Sequence, residues 1–175
     1  MKNKYIFLTF TLIISSFFSC EKTDIEFEND FDKSHKAWLM FKQSSDNSYT
    51  YKVERGSWVG IKWETTITVL KGKVVERYFK STYVEEPGRT EVTNEWTENE
   101  NEINSHKDSG AAEPITLDEV YDKARNDWLV KRKNAETFFE AKNNGLLSLC
   151  GYVEDNCADD CFRGISISYI EPLQS

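Results

Sequence analysis

The stretch Leu149-Cys150-Gly-Tyr-Val-Glu154-Asp155-Asn-Cys157-Ala-Asp159-Asp160-Cys161-Phe-Arg-Gly164 holds the densest set of reactive and ligating side chains in the sequence. Three chemistries suit it. The favoured one is a disulfide brace, because thiols outside the cytoplasm persist as disulfides and the N-terminus, below, directs this chain outward. Cys150 and Cys161 would face each other across a hairpin centred near Asp155, a bridge contributing about 2–3 kcal/mol in the loop-entropy account. Cys157 and Cys161 could instead close a very short loop, and either pairing leaves one thiol over. Zinc is the second chemistry, but the C-x6-C-x3-C spacing lacks the close cysteine pairs and the histidine of structural zinc sites. Calcium is the third: Glu154, Asp155, Asp159 and Asp160 are hard oxygen ligands, although without EF-hand spacing.

Other reactive constellations are sparse. His35 and His106 are the only histidines; the first falls on the expected solvated side of a helix and the second in a polar loop. The sequence has no HExxH pair, G-x-S-x-G elbow, Walker loop or dinucleotide glycine loop. Carboxylates are abundant, so a pair for glycoside hydrolysis is the enzymatic alternative. The reading is nonetheless non-catalytic, with no cofactor. Aromatic side chains supply a different chemistry, contact with a protein or a glycan. Trp58 and Trp96 are the surface candidates, whereas Trp63 sits on the apolar face of a strand and is expected in the core.

The fourth cysteine has another role. Lys2 and Lys4 precede an apolar run from Tyr5 to Phe18, and small Ser19 stands directly before Cys20. A basic start, an apolar stretch and a small-residue processing point make an export signal, and the stretch is short for a spanning helix. The cysteine at that point matches a bacterial lipobox, in which residues 1–19 are removed and Cys20 is acylated. Two or three acyl chains anchor a protein stably to a membrane. The next segment, 20–32, is polar and acidic and is expected to be a solvated tether. Removal of the signal takes two lysines and no acid, leaving 156 residues of net charge −10. Such a chain has no electrostatic route to nucleic acid.

These residues must be positioned by one domain spanning 33–175. Lys33 to Gln43 has helical spacing, with Ala37, Met40 and Phe41 on the stripe beside Trp38 and Leu39. Tyr49 to Val53 alternates as a strand. Val59, Ile61, Trp63, Thr65, Ile67 and Val69 then alternate with polar residues, which predicts a sheet with one wet face. Lys71-Gly72-Lys73 reverses the chain into a strand over 74–84. Residues 85–114 are acidic and read as an exposed loop, within which Thr90 to Trp96 could add a strand. Thr116-Leu-Asp-Glu119 is a capping box that opens a helix reaching Leu129. Residues 137–141 and 146–153 flank Asn144-Gly145, a hairpin turn signal. Residues 162–170 form the last strand, with Ile165, Ile167 and Tyr169 on one face. The fold class is α+β: two helices on one face of an antiparallel sheet, in the order α-β-β-β-(loop)-α-β-β-β.

Lipobox Cys20, helix residue Trp38 followed by Tyr49-Thr-Tyr51, Ile67-Thr-Val69-Leu-Lys-Gly72-Lys-Val74 and Thr116-Leu-Asp-Glu-Val-Tyr121 together make the chain resemble a family of small, uncharacterised Bacteroidetes-type lipoproteins carrying a domain of unknown function. The resemblance covers most of the chain after Cys20, but the segment from Asn144 onward departs from it. It implies a lipid-anchored protein of the cell envelope and brings no catalytic residues. The functional expectation is a non-catalytic binding module, held to the outer membrane by its N-terminus and meeting another envelope protein or a glycan. The alternatives are a carboxylate-dependent hydrolase and a metal-binding module using the acidic cysteine hairpin.

Overall fold

A computed structural model describes residues 24–86, 88–158 and 161–173. Helix α1 spans Glu28–Ser44 and is followed by β1 (Tyr49–Gly56), β2 (Ile61–Leu70), β3 (Lys73–Glu86) and β4 (Arg89–Asn99). A short helix α2 (Leu117–Lys123) runs into a π-helical turn, Ala124–Trp128, before β5 (Ala135–Glu140), β6 (Leu149–Glu154) and β7 (Arg163–Pro172). All seven strands join one antiparallel sheet in the order β4-β3-β2-β1-β7-β6-β5. The class is α+β as expected, but the order is α-β-β-β-β-α-β-β-β.

Helix α1 begins earlier than its sequence pattern suggested. Phe31, Ser34 and Trp38 are its buried residues, spaced three and four apart, so its inner face starts with Phe31 rather than at Lys33. Met40, expected on the apolar stripe, is 68% exposed. Upstream, Ile25 is buried and bridges Val130, while the Glu26 amide donates to the Leu129 carbonyl. The supposed tether is therefore folded from Asp24 onward, and Cys20 lies outside the described residues.

The core stacks aromatic rings whose polar ends all find partners. Trp38 packs edge-on against Tyr49 and face-on with Tyr121. The Tyr49 hydroxyl accepts from the Leu117 amide, the Tyr51 hydroxyl donates to the Ile115 carbonyl, and the Tyr121 hydroxyl bonds Ser34 and the Leu147 amide. Tyrosines can be fully buried on these terms, because an unpaired hydroxyl would carry a desolvation cost. The indole N–H of Trp38 donates to Asp118 at 3.0 Å, tying α1 to α2.

The capping box forms as read: the Glu119 amide donates to the Thr116 hydroxyl, and the Glu119 carboxylate accepts from the Thr116 amide. The second helix is shorter than expected, seven residues of α-helix. The Leu129 amide then reaches back five residues to the Ala124 carbonyl, which widens the last turn into a π-bulge.

The two helices do not cover the whole face. Over β2, β3 and β4 the lid is the segment 100–116, of which the residues up to 114 were expected to belong to an exposed loop. Its Ala112 is buried, and the Ala112 amide donates to Thr65 Oγ1 at 3.0 Å. The possible fourth strand is present at full length, pairing along β3 from Glu76↔Asn99 to Glu86↔Arg89. It is polar because it is an edge strand, and charge on an edge discourages further pairing.

Strand β7 serves both halves of the sheet. Its residues Ile167 to Pro172 pair with β1, and Arg163 to Ser166 pair with β6. Lys52 pairs with Tyr169 and the adjacent Val53 with Ile167, so Ser168 is bulged out of the ladder. The bulge changes the facing of everything after it. Ile170 takes the buried position, and Tyr169, expected inward, instead lies near the Lys52 ammonium.

Candidate binding groove

Beyond Val53↔Ile167, β1 and β7 pair no further among the described residues, although β1 continues to Gly56 and β7 starts back at Arg163. A fork is left between them, and it holds a cavity of about 540 Å³. One wall is Glu54, Arg55 and Gly56 of β1 with Trp63 of β2; the other is Phe162, Gly164 and Ser166, with Leu149 of β6 behind. Gly110 of the lid segment closes the Trp63 side, where a Cβ would stand 3.7 Å from the indole nitrogen.

The Phe162 wall is built from glycines and a disulfide. Gly151 and Gly164 face each other across β6 and β7. A Cβ on Gly151 would come within 2.6 Å of the Phe162 ring, and one on Gly164 within 2.1 Å of the Cys150 carbonyl oxygen. This close approach lets Phe162 lie over the strand pair, edge-on to Phe138 at 6.4 Å and still 40% exposed. The disulfide joins Cys157 to Cys161, immediately before Phe162. Of the two expected pairings, then, it is the short loop that forms. Cys150 faces the core as a buried free thiol, on the opposite face from a hairpin bridge. Burial pushes that thiol well above its ordinary pKa, so it stays protonated and inert.

Charge in the groove is unbalanced. Lys52 bonds Glu54 at 2.9 Å and Glu64 at 3.0 Å. The hydrogen bond from Lys52 holds the Glu54 carboxyl below the usual carboxylate range. Glu54 is thus already paired, and it is the only carboxylate among the described lining residues. Arg55 has no acidic partner among the described residues. The Trp63 indole N–H likewise meets no acceptor among them. Arg55 and the Trp63 indole N–H line the fork from the core-side face and the Ser166 hydroxyl from the other, a cation and donors that suit an anionic, partly apolar group.

The other predicted residues fall elsewhere. Glu154 and Asp155 are exposed at the end of β6, Glu154 lying 3.9 Å from Arg163, and Asp159 and Asp160 lie outside the described residues. Among the described residues, no three His, Cys, Asp or Glu side chains gather to hold a metal. Trp58 is 81% exposed in the β1–β2 turn. Trp96, expected at the surface, is half-buried and stacks on His106 at 4.3 Å, with Arg77 at 4.9 Å. His35, expected in solvent, packs on Phe31 and Tyr121. Burial and then the Arg125 charge lower its pKa.

Sequence reasoning missed the polar cluster under the lid. Glu98 and Arg77 are both buried, paired at 3.0 Å and 3.1 Å. The same carboxylate accepts from the Asn104 and His106 amides and the Ser105 hydroxyl. Arg77, Glu98 and the 104–106 segment all bond one another, although Arg77 Nε makes only the ion-pair contact, so the cluster is a clasp for the lid. Its available signal was an alternation putting Arg77 and Glu98 on inward positions of facing strands. Comparison of the chain with protein-family models, curated proteins and solved structures finds no match. Among the described residues, no helix is long and apolar enough to cross a membrane.

Proposed function

We propose that the chain is a lipid-anchored, non-catalytic binding module of the cell envelope, and that it grips another envelope protein in the fork between β1 and β7. The lipobox pattern at Cys20 and the resemblance to small Bacteroidetes-type lipoproteins support that location. The observation that carries the activity is the groove itself: Trp63 and Phe162 on opposing walls, with Arg55 lacking a carboxylate partner among the described residues. Aromatic residues and arginine dominate binding energy at protein contacts. Among the described residues the groove presents one carboxylate, already bound to Lys52, where glycoside hydrolysis needs two flanking the substrate.

A photoreactive phenylalanine analogue placed at Phe162 in the full-length chain tests the proposal in intact cells. Irradiation is expected to give a discrete adduct of higher mass from position 162. The same analogue at Met40, exposed on α1, is expected to give none. Equal labelling from both positions, or no adduct from 162, would refute the reading.

A further inference from the structure

We infer that the fork receives the C-terminus of an extended peptide, which adds as a short strand between β1 and β7 and places its terminal carboxylate on Arg55. The inference rests on the groove being a binding site and goes further by naming the ligand. Its first support is the backbone. From Glu54 to Gly56, β1 pairs with β2 on one side only, and from Arg163 to Ser166, β7 pairs with β6 on one side only. Among the described residues each strand therefore turns an unpaired edge toward the fork, and such an edge is a template for another strand. At about 3.3 Å per residue, such edges offer room for roughly three peptide residues.

The second support is the dead end. The fork closes at Val53↔Ile167, so an inserted strand cannot run through it and has to stop there. The ligand is therefore a chain terminus, not an internal loop. Charge selects which terminus. Arg55 stands two residues from the closing pair and carries a positive charge that meets no acidic partner among the described residues, in a chain of net charge −8. A guanidinium binds a carboxylate through two parallel hydrogen bonds and repels an ammonium group. The third support is the cavity beside Trp63, an indole on whose face the last side chain of the peptide would pack.

The test uses pools of acetylated tetrapeptides, random at three positions and ending in phenylalanine, offered to the purified chain as free acids and as C-terminal amides. Peptides retained from the free-acid pool are expected to bind at least ten-fold more tightly than their amides. They should lose at least ten-fold in affinity to Arg55→Gln, whose exposed position leaves the fold intact by circular dichroism. Bound peptide should also slow hydrogen exchange at amides within 54–56 and 164–166. Equal binding of acids and amides, undiminished binding to Arg55→Gln, or unchanged exchange at those amides would overturn the inference. If no free acid binds while Phe162 still crosslinks in cells, the peptide inference falls and the binding-module reading stands. If neither is seen, both fall.

Discussion

Glu98 shows how one side chain can fix a long segment. Burial pushes its carboxyl up, but the amides of His106 and Asn104, the Ser105 hydroxyl and Arg77 together hold it below the usual range. A carboxyl held low in the fold binds its proton less readily than in the unfolded chain. Its contribution is complete above the unfolded value, about 4.3, and is lost as pH falls through the folded value. Glu98→Gln leaves Arg77 buried without its counter-charge, a change that costs about 3–5 kcal/mol. The expected result is a lower urea midpoint at pH 7 and a difference from wild type that shrinks as pH falls below about 4. A midpoint unchanged at pH 7 would show that the lid is held by something else.

At the level of elements, the fork exists because two glycines let β6 and β7 meet closely while the Ser168 bulge turns β7 between its two partners. Gly164→Ala drives a methyl group into the Cys150 carbonyl. Overpacking of this kind costs about 1–3 kcal/mol or more, and thermal unfolding should show a correspondingly lower midpoint. An unshifted midpoint would mean that the strands can separate without cost. These elements were unevenly legible in the sequence. The capping box at Thr116, the alternation of β2 and the Lys71-Gly72 turn each express a local rule and formed where expected, save that β2 starts at Ile61 and leaves Val59 exposed in the turn before it. Phe31 and Ile25 were hidden among acids, because a helix facing the core with few residues reads as polar overall. The bulge that sends Tyr169 outward leaves no mark in an alternating pattern, since one skipped residue cannot be seen without its partner strand. Trp63, expected in the core, and Trp96, expected at the surface, are both half-buried for a related reason. Which inward-facing ring is covered depends on where the lid lies, and the lid is held by Glu98, not by any apolar pattern of its own.

For the molecule as a whole, the attachment proposed at Cys20 sets the frame for the groove. Metabolic labelling with palmitate should mark the wild-type chain, and Cys20→Ala should abolish the mark and release the protein from the membrane fraction. Labelling that survives Cys20→Ala would remove the anchor and with it the envelope setting. The disulfide, the clasp under the lid and the tyrosine-rich core do not depend on that outcome, since each is satisfied within the residues from Asp24 onward.

The placement of β7 also has a consequence in time. Val53 and Ile167 pair across more than a hundred positions, so the early four-stranded meander keeps Tyr51 and Val53 uncovered on one flank until the last strand arrives. Contacts this distant in sequence form slowly. For the exported chain proposed above, such a delay would keep the sheet open during passage through a translocation channel. The strand that leaves the fork open is thus also the one that finishes the sheet.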